Sequence, residues 1–464
     1  MLSILCEIWK ILRECDVEWL NINNNHLFIN MVDIAILGGG LAGVAFALEL
    51  KYCFPSAEIV VLEKSESFGG LLKSVSINNH IFDTGGSHII FSKNKILLRK
   101  ILSFLNNNFV NHQRSAKVLL DSTFVPYPLE NGLYVLPPEE RAEALINFLE
   151  AWISRDVSWM PETFRDWIYG FFGKWIAEKY LAPYNEKIWK RPLNEIDVDW
   201  IYTPGRVPMP DWKDIVRSAI GIPTVGYIEQ SIFYYPRFGG IQALFDSIAK
   251  KAGKLGIKFL RNFVIFRIKK SNDEWTINDN IKAKRLICTI PIRELVNVLN
   301  APENVIKAAE RLDYNRLVVI GIALKKNAPK QHWVYVPNIN ILFHRYAWIS
   351  NYSPENSPKG ESTILAETTL PPNTKVNIEE LTNKVITDFE KLNVFKRNEV
   401  LLTRVWVHEY GYPIHKIGYK KIRETIMLWL REQNIVSAGR WGSWQYWNMD
   451  KVYEDIIDKL KKIK

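Results

Sequence analysis

Gly38, Gly40 and Gly43 stand in the spacing G-x-G-x-x-G within "VDIAILGGGLAGVAFALELK". The chemistry that needs this pattern is the binding of a dinucleotide pyrophosphate. The first glycine closes a tight turn, the second lets the backbone approach the phosphates, and the third lets a helix pack on the preceding strand. That helix would meet the phosphate charge with the unpaired N–H groups of its first turn. Glu63 follows Gly43 by 20 positions, at the end of "AEIVVLEK", where a carboxylate can accept hydrogen bonds from a ribose diol. At the far end of the chain, "GRWGSWQYWNMD" crowds Arg440, Trp441, Trp444, Tyr446 and Trp447 around Gly439 and Gly442, just ahead of Asn448. Aromatic planes, a planar cation and bare backbone at a helix start suit a flat, charged ligand. His408 and His415 have no carboxylate or cysteine at ligand spacing, so no metal site is expected. No G-x-S-x-G, P-loop or zinc pattern occurs.

These groups need elements to hold them. The glycine motif needs an apolar strand before it and a helix after it, and both are written into residues 32–51. In the terminal stretch Val452, Ile456, Ile457 and Leu460 share a helical face, Asn448 suits the N-cap and Asp450 falls in the first turn. Between the ends, "PEERAEALINFLEAWI" and "TFRDWIYGFFGKWIAEKYL" read as helices, whereas "RLVVIGIALK" and "NEVLLTRVWVHEY" read as strands.

A chain of 464 residues is too long for one ordinary core, so two or three domains are expected. No run of 18 uncharged apolar residues occurs, which argues against a membrane span. The net charge is +10, but the basic residues are scattered, and their one cluster, Lys461, Lys462 and Lys464, closes a helix. A solvated basic surface is the reading, with no nucleic-acid partner. Four cysteines, at 6, 15, 53 and 288, form no C-x-x-C and no paired framework, as in a cytoplasmic protein with reduced thiols. Residues 1–30 lack a small-residue cleavage site and so do not read as a signal peptide. They are either a mis-assigned start before Met31 or a short helical extension.

Glycine pairs recur at Gly69–Gly70 in "SFGGLLKS" and at Gly85–Gly86 in "FDTGGSHIIFS". Together with residues 235–270, "RLICTIP" (285–291) and the terminal segment, they resemble the FAD-binding segments of the amine oxidase and protoporphyrinogen oxidase superfamily. Further segments follow in order: "FVPYPLENGLYVLPPEE", "APYNEKIW", "WIYTPGRVPMP", "WVYVPNINILFHRYAWISNYSP", "EYGYPIH" and "GRWGSWQYWNMD". From about residue 31 to 460 the chain resembles the UDP-galactopyranose mutase family, of the eukaryotic type.

That resemblance implies interconversion of UDP-galactopyranose and UDP-galactofuranose, with N5 of reduced FAD as the nucleophile and no net redox change. It places Gly38, Gly40, Leu41, Gly43, Glu63, Gly70, Leu71, Ser87, Arg440 and Asn448 at the cofactor, and Val264 on a strand whose backbone meets the adenine. It gives His88 a catalytic place in the loop facing the flavin. Arg206 and Arg345 would grip the diphosphate, a task for which the planar guanidinium is better shaped than an ammonium. Tyr335, Tyr352, Tyr412 and Tyr446 would donate to sugar and phosphate oxygens, while Asn185 and Trp189 would hold the uracil. Trp333, Trp348, Trp406 and Trp447 read as core. Arg345, in an apolar strand-like run, needs a partner, and a ligand phosphate could be one. Two features depart from the family. Glu130 stands where glutamine is usual, which bears on the uridine contact, and Ser87 is an extra residue before the histidine. NAD(P)H or another reductant would supply the electrons. The alternative is an FAD-dependent oxidase or desaturase of the amine oxidase type.

The expected architecture is α/β: a Rossmann-like FAD domain from residues 31–100, 236–300 and 434–464, an inserted helical domain from 132–230, and a mixed antiparallel β-sheet domain from 112–131 and 300–433. The site would lie where the three meet.

Overall fold

A computed structural model describes residues 31–463 except 157, 204–210 and 227. The expectations for residues 1–30 and for Arg206 therefore fall outside the described residues.

The strands Val32–Leu37 and Ile59–Leu62 are buried along almost their whole length. Runs that are apolar on both faces belong in a parallel sheet covered from both sides. Here they pair in parallel, and Ile281–Cys288 flanks Val32–Leu37 on its other edge. Lys258–Leu260 extends the sheet beyond Ile59–Leu62, while Ile435–Ser437 lies parallel to the end of Ile281–Cys288. A hairpin of Ile268–Ser271 and Glu274–Ile277 pairs with the start of Ile281–Cys288. Helix Leu41–Cys53 packs against Gln242–Lys254 and Met449–Leu460. Its residues Val44 to Leu48 are fully buried, as expected for a helix walled in by its neighbours. Val264 is not on a strand: it lies in irregular chain between Lys258–Leu260 and Ile268–Ser271, and is 60% exposed. Asn278 holds that stretch instead, donating from Nδ2 to the Val264 carbonyl and accepting at Oδ1 from the N–H groups of Phe266 and Arg267.

A second sheet of seven strands runs in the order Val400–Ile414, Asp313–Leu324, Ser362–Leu370, Arg345–Trp348, Trp333–Tyr335, Ala116–Leu120 and Thr123–Pro126. All its pairs are antiparallel except Trp333–Tyr335 with Ala116–Leu120. Directly paired residues share a face of a sheet. The register therefore sets Tyr335 beside Arg345, and Arg345 beside Glu367, in one row. Helix Ile378–Lys391 covers the other face through Val385, Ile386 and Phe389.

Between the strands Thr123–Pro126 and Ile232–Tyr235 the chain is mostly helical, with Pro138–Ser154, Phe164–Ile176, Ala182–Trp189 and Trp212–Ala219 as its main helices. Thr163 and Asp166 form a reciprocal capping box at the start of Phe164–Ile176. Gly173 kinks that helix with φ of 77°, where a β-carbon would lie 2.3 Å from the Asn147 carbonyl oxygen. Among the described residues no helix is long and apolar enough to cross a membrane.

Candidate active site

The carboxyl ends of the parallel strands, one face of the second sheet and the helices around residues 172–200 enclose a cavity of about 830 Å³. Ligands of open α/β sheets bind beyond the strand ends in this way. Every expected site position borders the cavity except Gly43, which lies inside helix Leu41–Cys53, and Arg206, outside the described residues.

One end is shaped for a dinucleotide. Gly38 turns with φ of 107°, and a β-carbon there would meet the Thr289 hydroxyl at 2.6 Å. That hydroxyl donates to the Leu37 carbonyl at 2.9 Å, tying the turn to the end of Ile281–Cys288. A β-carbon on Gly43 would fall 1.9 Å from the Gly38 carbonyl oxygen, so helix and turn touch only because no side chain stands between them. Gly40 differs: the nearest atom to an added β-carbon is the Gly70 α-carbon at 3.8 Å, leaving the cavity side open. Gly40 caps helix Leu41–Cys53 without a side-chain hydrogen bond, and the first turn carries no acid. Unpaired N–H groups and an uncompensated helix dipole thus open onto the cavity beside Leu41 and Ala42. Glu63 accepts from the Gly39 N–H at 2.8 Å and the Ser65 N–H at 2.9 Å, which fixes its carboxylate at the mouth of this groove. Helix Met449–Leu460 also presents its start to the cavity, with Asn448 at the N-cap position but no side-chain capping bond.

The other end is organised by a carboxylate that the sequence reading did not anticipate. Glu367, fully buried on Ser362–Leu370, accepts from Arg345 Nη2 at 2.6 Å, from the Ser87 N–H at 3.0 Å and from the Ser87 hydroxyl at 3.1 Å. The partner of Arg345 is thus supplied by the protein. Burial works against the Arg345 charge, but Glu367 holds it charged, well above the ordinary range. Its Nε is buried with no partner among the described residues, but the side chain is 23% exposed and borders the cavity, so the guanidinium still faces a ligand. The only sequence signal for Glu367 was an acid within the apolar run "STILAETTL".

His88 accepts no proton near neutrality: burial pushes its imidazole down to about 4, against the Gly86 carbonyl and Glu367. Nδ1 lies 2.8 Å from the Gly86 carbonyl, so Nδ1 carries the hydrogen and Nε2 the lone pair. Tyr352 and Tyr412 are pushed well above the ordinary phenol range, chiefly by burial, and stay protonated donors. Tyr335 lies 4.6 Å from Tyr127 and 5.3 Å from Tyr184, ring centre to ring centre.

Arg440 donates from Nη2 to the Gly411 carbonyl at 2.6 Å and stands 5.0 Å over the Tyr446 ring and 5.4 Å over that of Tyr412. Cation–π contact fixes the guanidinium among these rings. Trp189 completes the aromatic wall, 5.4 Å from Tyr446. Its indole donates to Asn185 Oδ1 at 3.2 Å, and Asn185 Nδ2 donates to the Leu181 carbonyl at 2.7 Å. The Asn185 amide thus spends its oxygen and one N–H within its own helix. Of the four tryptophans read as core, Trp348 is fully buried and Trp406 packs on Phe82, while Trp333 and Trp447 border the cavity. His344, also on the cavity wall, was not anticipated; it is 2% exposed, its Nδ1 has no partner among the described residues, and burial pushes it far down.

A glycine turn, an acid after the second strand and an uncapped helix start, sharing one cavity with an antiparallel sheet, define a dinucleotide-dependent flavoprotein. The sequence matches the NAD(P)-binding Rossmann-like domain over residues 36–105, and the flavin containing amine oxidoreductase family over residues 217–453, just over half of the chain. The chain belongs to the flavin containing amine oxidoreductase family, and its cofactor is FAD. The fold is similar to a crystal structure of reduced UDP-galactopyranose mutase, with a TM-score of 0.85 and 24% identity over 93% of this chain and 95% of that one. It is also similar to a protein from an Exiguobacterium species provisionally called a protoporphyrinogen oxidase, with a TM-score of 0.71 and 15% identity over 93% and 99% of the two chains. An uncharacterized protein of Acanthamoeba polyphaga mimivirus is 25% identical over 152 residues, which are 29% of this chain. The match spans 30% of the length of that relative.

Proposed function

We propose that the chain interconverts UDP-galactopyranose and UDP-galactofuranose, with reduced FAD as the working state. The observation that carries this reading is the makeup of the cavity beyond the glycine turn. It holds a charged arginine whose guanidinium faces the cavity, and a ring of phenols. An amine or polyene offers no diphosphate for such groups to hold. The likeness to reduced UDP-galactopyranose mutase supports the reading by extending over nearly all of both chains.

In this reading Gly38, Gly40, Leu41, Glu63, Gly70, Leu71, Ser87, Val264, Arg440 and Asn448 hold FAD. When bound and reduced, FAD supplies a nucleophilic nitrogen, N5, to the anomeric carbon. The side chains must grip a dianionic leaving group while the sugar changes shape. Arg345 donates to the diphosphate from the part of its guanidinium that faces the cavity, and Glu367 orients it. Arg206 serves as the second cation. Tyr335, Tyr352, Tyr412 and Tyr446 donate to phosphate and sugar oxygens, and burial keeps the Tyr352 and Tyr412 hydroxyls from ionising into competing nucleophiles. His88, neutral with a lone pair on Nε2, can accept a hydrogen bond from a sugar hydroxyl. Trp189 and Asn185 wall the uracil end. NAD(P)H or another reductant supplies the electrons that bring the cofactor into its working state.

The test is to incubate the purified holoprotein with UDP-galactofuranose, with and without dithionite, and to resolve the products chromatographically. Conversion to UDP-galactopyranose only after reduction, with no peroxide, is expected. Equal conversion by the oxidised protein, or stoichiometric peroxide with an amine substrate, would replace this reading with the oxidase one.

A further inference from the structure

We propose that Glu130 contacts the ligand as a neutral carboxylic acid, donating its proton to an acceptor oxygen of the bound UDP-sugar; this rests on the UDP-sugar reading above. Glu130 sits in the short helix Leu129–Gly132, borders the main cavity and is 1% exposed. Its Oε1 is buried and has no hydrogen-bond partner among the described residues. A carboxylate so placed needs a cation or several donors to offset the loss of water.

Among the described residues the packed elements supply neither, and Arg114, beside the preceding turn, donates to the Tyr127 and Gly226 carbonyls. Helix Trp212–Ala219 packs on Leu129–Gly132 and carries Lys213, Asp214 and Arg217. Arg217 pairs with Asp214, and Lys213 lies over the Trp212 ring. Strand Thr123–Pro126, also packed on this helix, has no titratable side chain. The following turn, Leu133–Val135, brings only Tyr134, whose N–H donates to Ser218. Tyr180 feels Glu130 from across the cavity and is itself held protonated, first by burial. Burial alone pushes the Glu130 carboxyl up, to about 7, against one bond from its own N–H.

The proton changes what the cavity accepts. With it, Glu130 offers a donor and no charge to a ligand that carries two negative charges. Without it, the donor is gone and a like charge faces the diphosphate. Ligand affinity should therefore fall as Glu130 ionises, by up to about tenfold per pH unit. Glutamine keeps a donor of the same shape at every pH.

The experiment titrates oxidised, FAD-loaded wild type and Glu130→Gln with UDP-galactose from about pH 5.5 to about pH 8.5 by calorimetry. UDP-galactose suits this because both of its phosphates are already ionised throughout. Wild-type affinity should fall about tenfold or more between pH 7 and the alkaline end, whereas Glu130→Gln should bind as tightly as wild type does at acid pH, without the fall. A second measurement needs no variant: at alkaline pH the wild type should take up about one proton per ligand bound, read from the buffer dependence of the heat. A wild-type fall that persists in Glu130→Gln, a flat wild-type profile, or no proton uptake would each overturn the Glu130 assignment while leaving UDP-sugar binding in place. Absence of UDP-galactose binding at every pH, with FAD retained, would instead overturn the UDP-sugar reading and this proposal with it.

Discussion

Arg345 and Glu367 stand directly opposite each other on adjacent antiparallel strands, joined by a 2.6 Å bond from Nη2 to Oε2. The same carboxylate also receives the Ser87 N–H and hydroxyl. One buried acid therefore joins the Gly85–Gly86 loop to the arginine of the second sheet.

Removing that acid should cost stability. Glu367→Ala leaves a buried guanidinium without its counter-charge, which typically costs about 3–5 kcal/mol. Glu367→Gln keeps an acceptor and should cost less. Denaturant unfolding of the FAD-loaded proteins measures both, and a loss under about 1 kcal/mol for Glu367→Ala would show that the pair contributes little.

Arg345 should matter to turnover in a different way. A guanidinium bond from Arg345 to a diphosphate is charge-assisted and worth roughly 1.5–3 kcal/mol, or about 10- to 150-fold in kcat/KM. The loss in Arg345→Ala should appear in kcat as well as KM, because the leaving group must be held while it is detached. Arg345→Lys should recover only part, and Arg206→Ala should lose activity by a similar factor. FAD should stay near one per chain in all three. Kinetics within about twofold of wild type for both alanine variants would remove the clamp.

Two glycines of the same motif should fail differently. A β-carbon at Gly43 overlaps the Gly38 carbonyl oxygen at 1.9 Å, so Gly43→Ala should lower the melting temperature even without cofactor. At Gly40 an added methyl has open space toward the cavity. Gly40→Ala should therefore keep the fold of the cofactor-free protein yet retain less FAD. Melting curves and flavin absorbance, taken with and without added FAD, separate the two outcomes.

Titration should show opposite signs at two cavity residues. Burial, opposed by Gly86 and Glu367, holds the His88 imidazole near 4 against an ordinary 6.5. The unfolded chain binds that proton first on acidification, so the stability His88 contributes is present above about pH 6.5 and lost as pH falls toward 4. Glu130 is raised from 4.5 to about 7, so its contribution is present below about pH 4.5 and lost as pH rises toward 7. Relative to wild type, the melting temperature of His88→Gln should therefore rise as pH falls from 6.5 to 4, and that of Glu130→Gln should rise as pH rises from 4.5 to 7. Unchanged slopes in either variant would assign the pH dependence to other groups.

Much of the fold could be read locally. The strand, turn and helix around Gly38 rest on contiguous residues, as do the cap at Asn448 and the buried face of Val452, Ile456 and Leu460. What escaped depends on contacts between distant segments. Glu367 is 22 residues from Arg345 in sequence, and nothing in either stretch states the register that pairs them. The Asn185–Trp189 bond is a local, four-residue helical contact, yet the amide looked available because a side chain's orientation is not written in its type. The resemblance put Val264 on a strand, but Asn278 occupies the backbone groups of that stretch and leaves it irregular. Glu130 was visible as an unexpected acid; that no described residue packed on it pairs with its charge could be seen only once the helices were packed.

The row formed by Tyr335, Arg345 and Glu367 also sets how this chain can change length. A residue inserted or deleted within Arg345–Trp348 or Ser362–Leu370 turns every later side chain of that strand to the opposite face. A change ahead of Glu367 would turn its carboxylate toward helix Ile378–Lys391 and bury a lone charge in an apolar layer, leaving Arg345 unpaired. The connections at 325–332 and 371–377 lie outside the strands and can absorb the same change. Length variation in descendants of this sequence should collect in those loops and spare the two strands, whatever substitutions accumulate on either face.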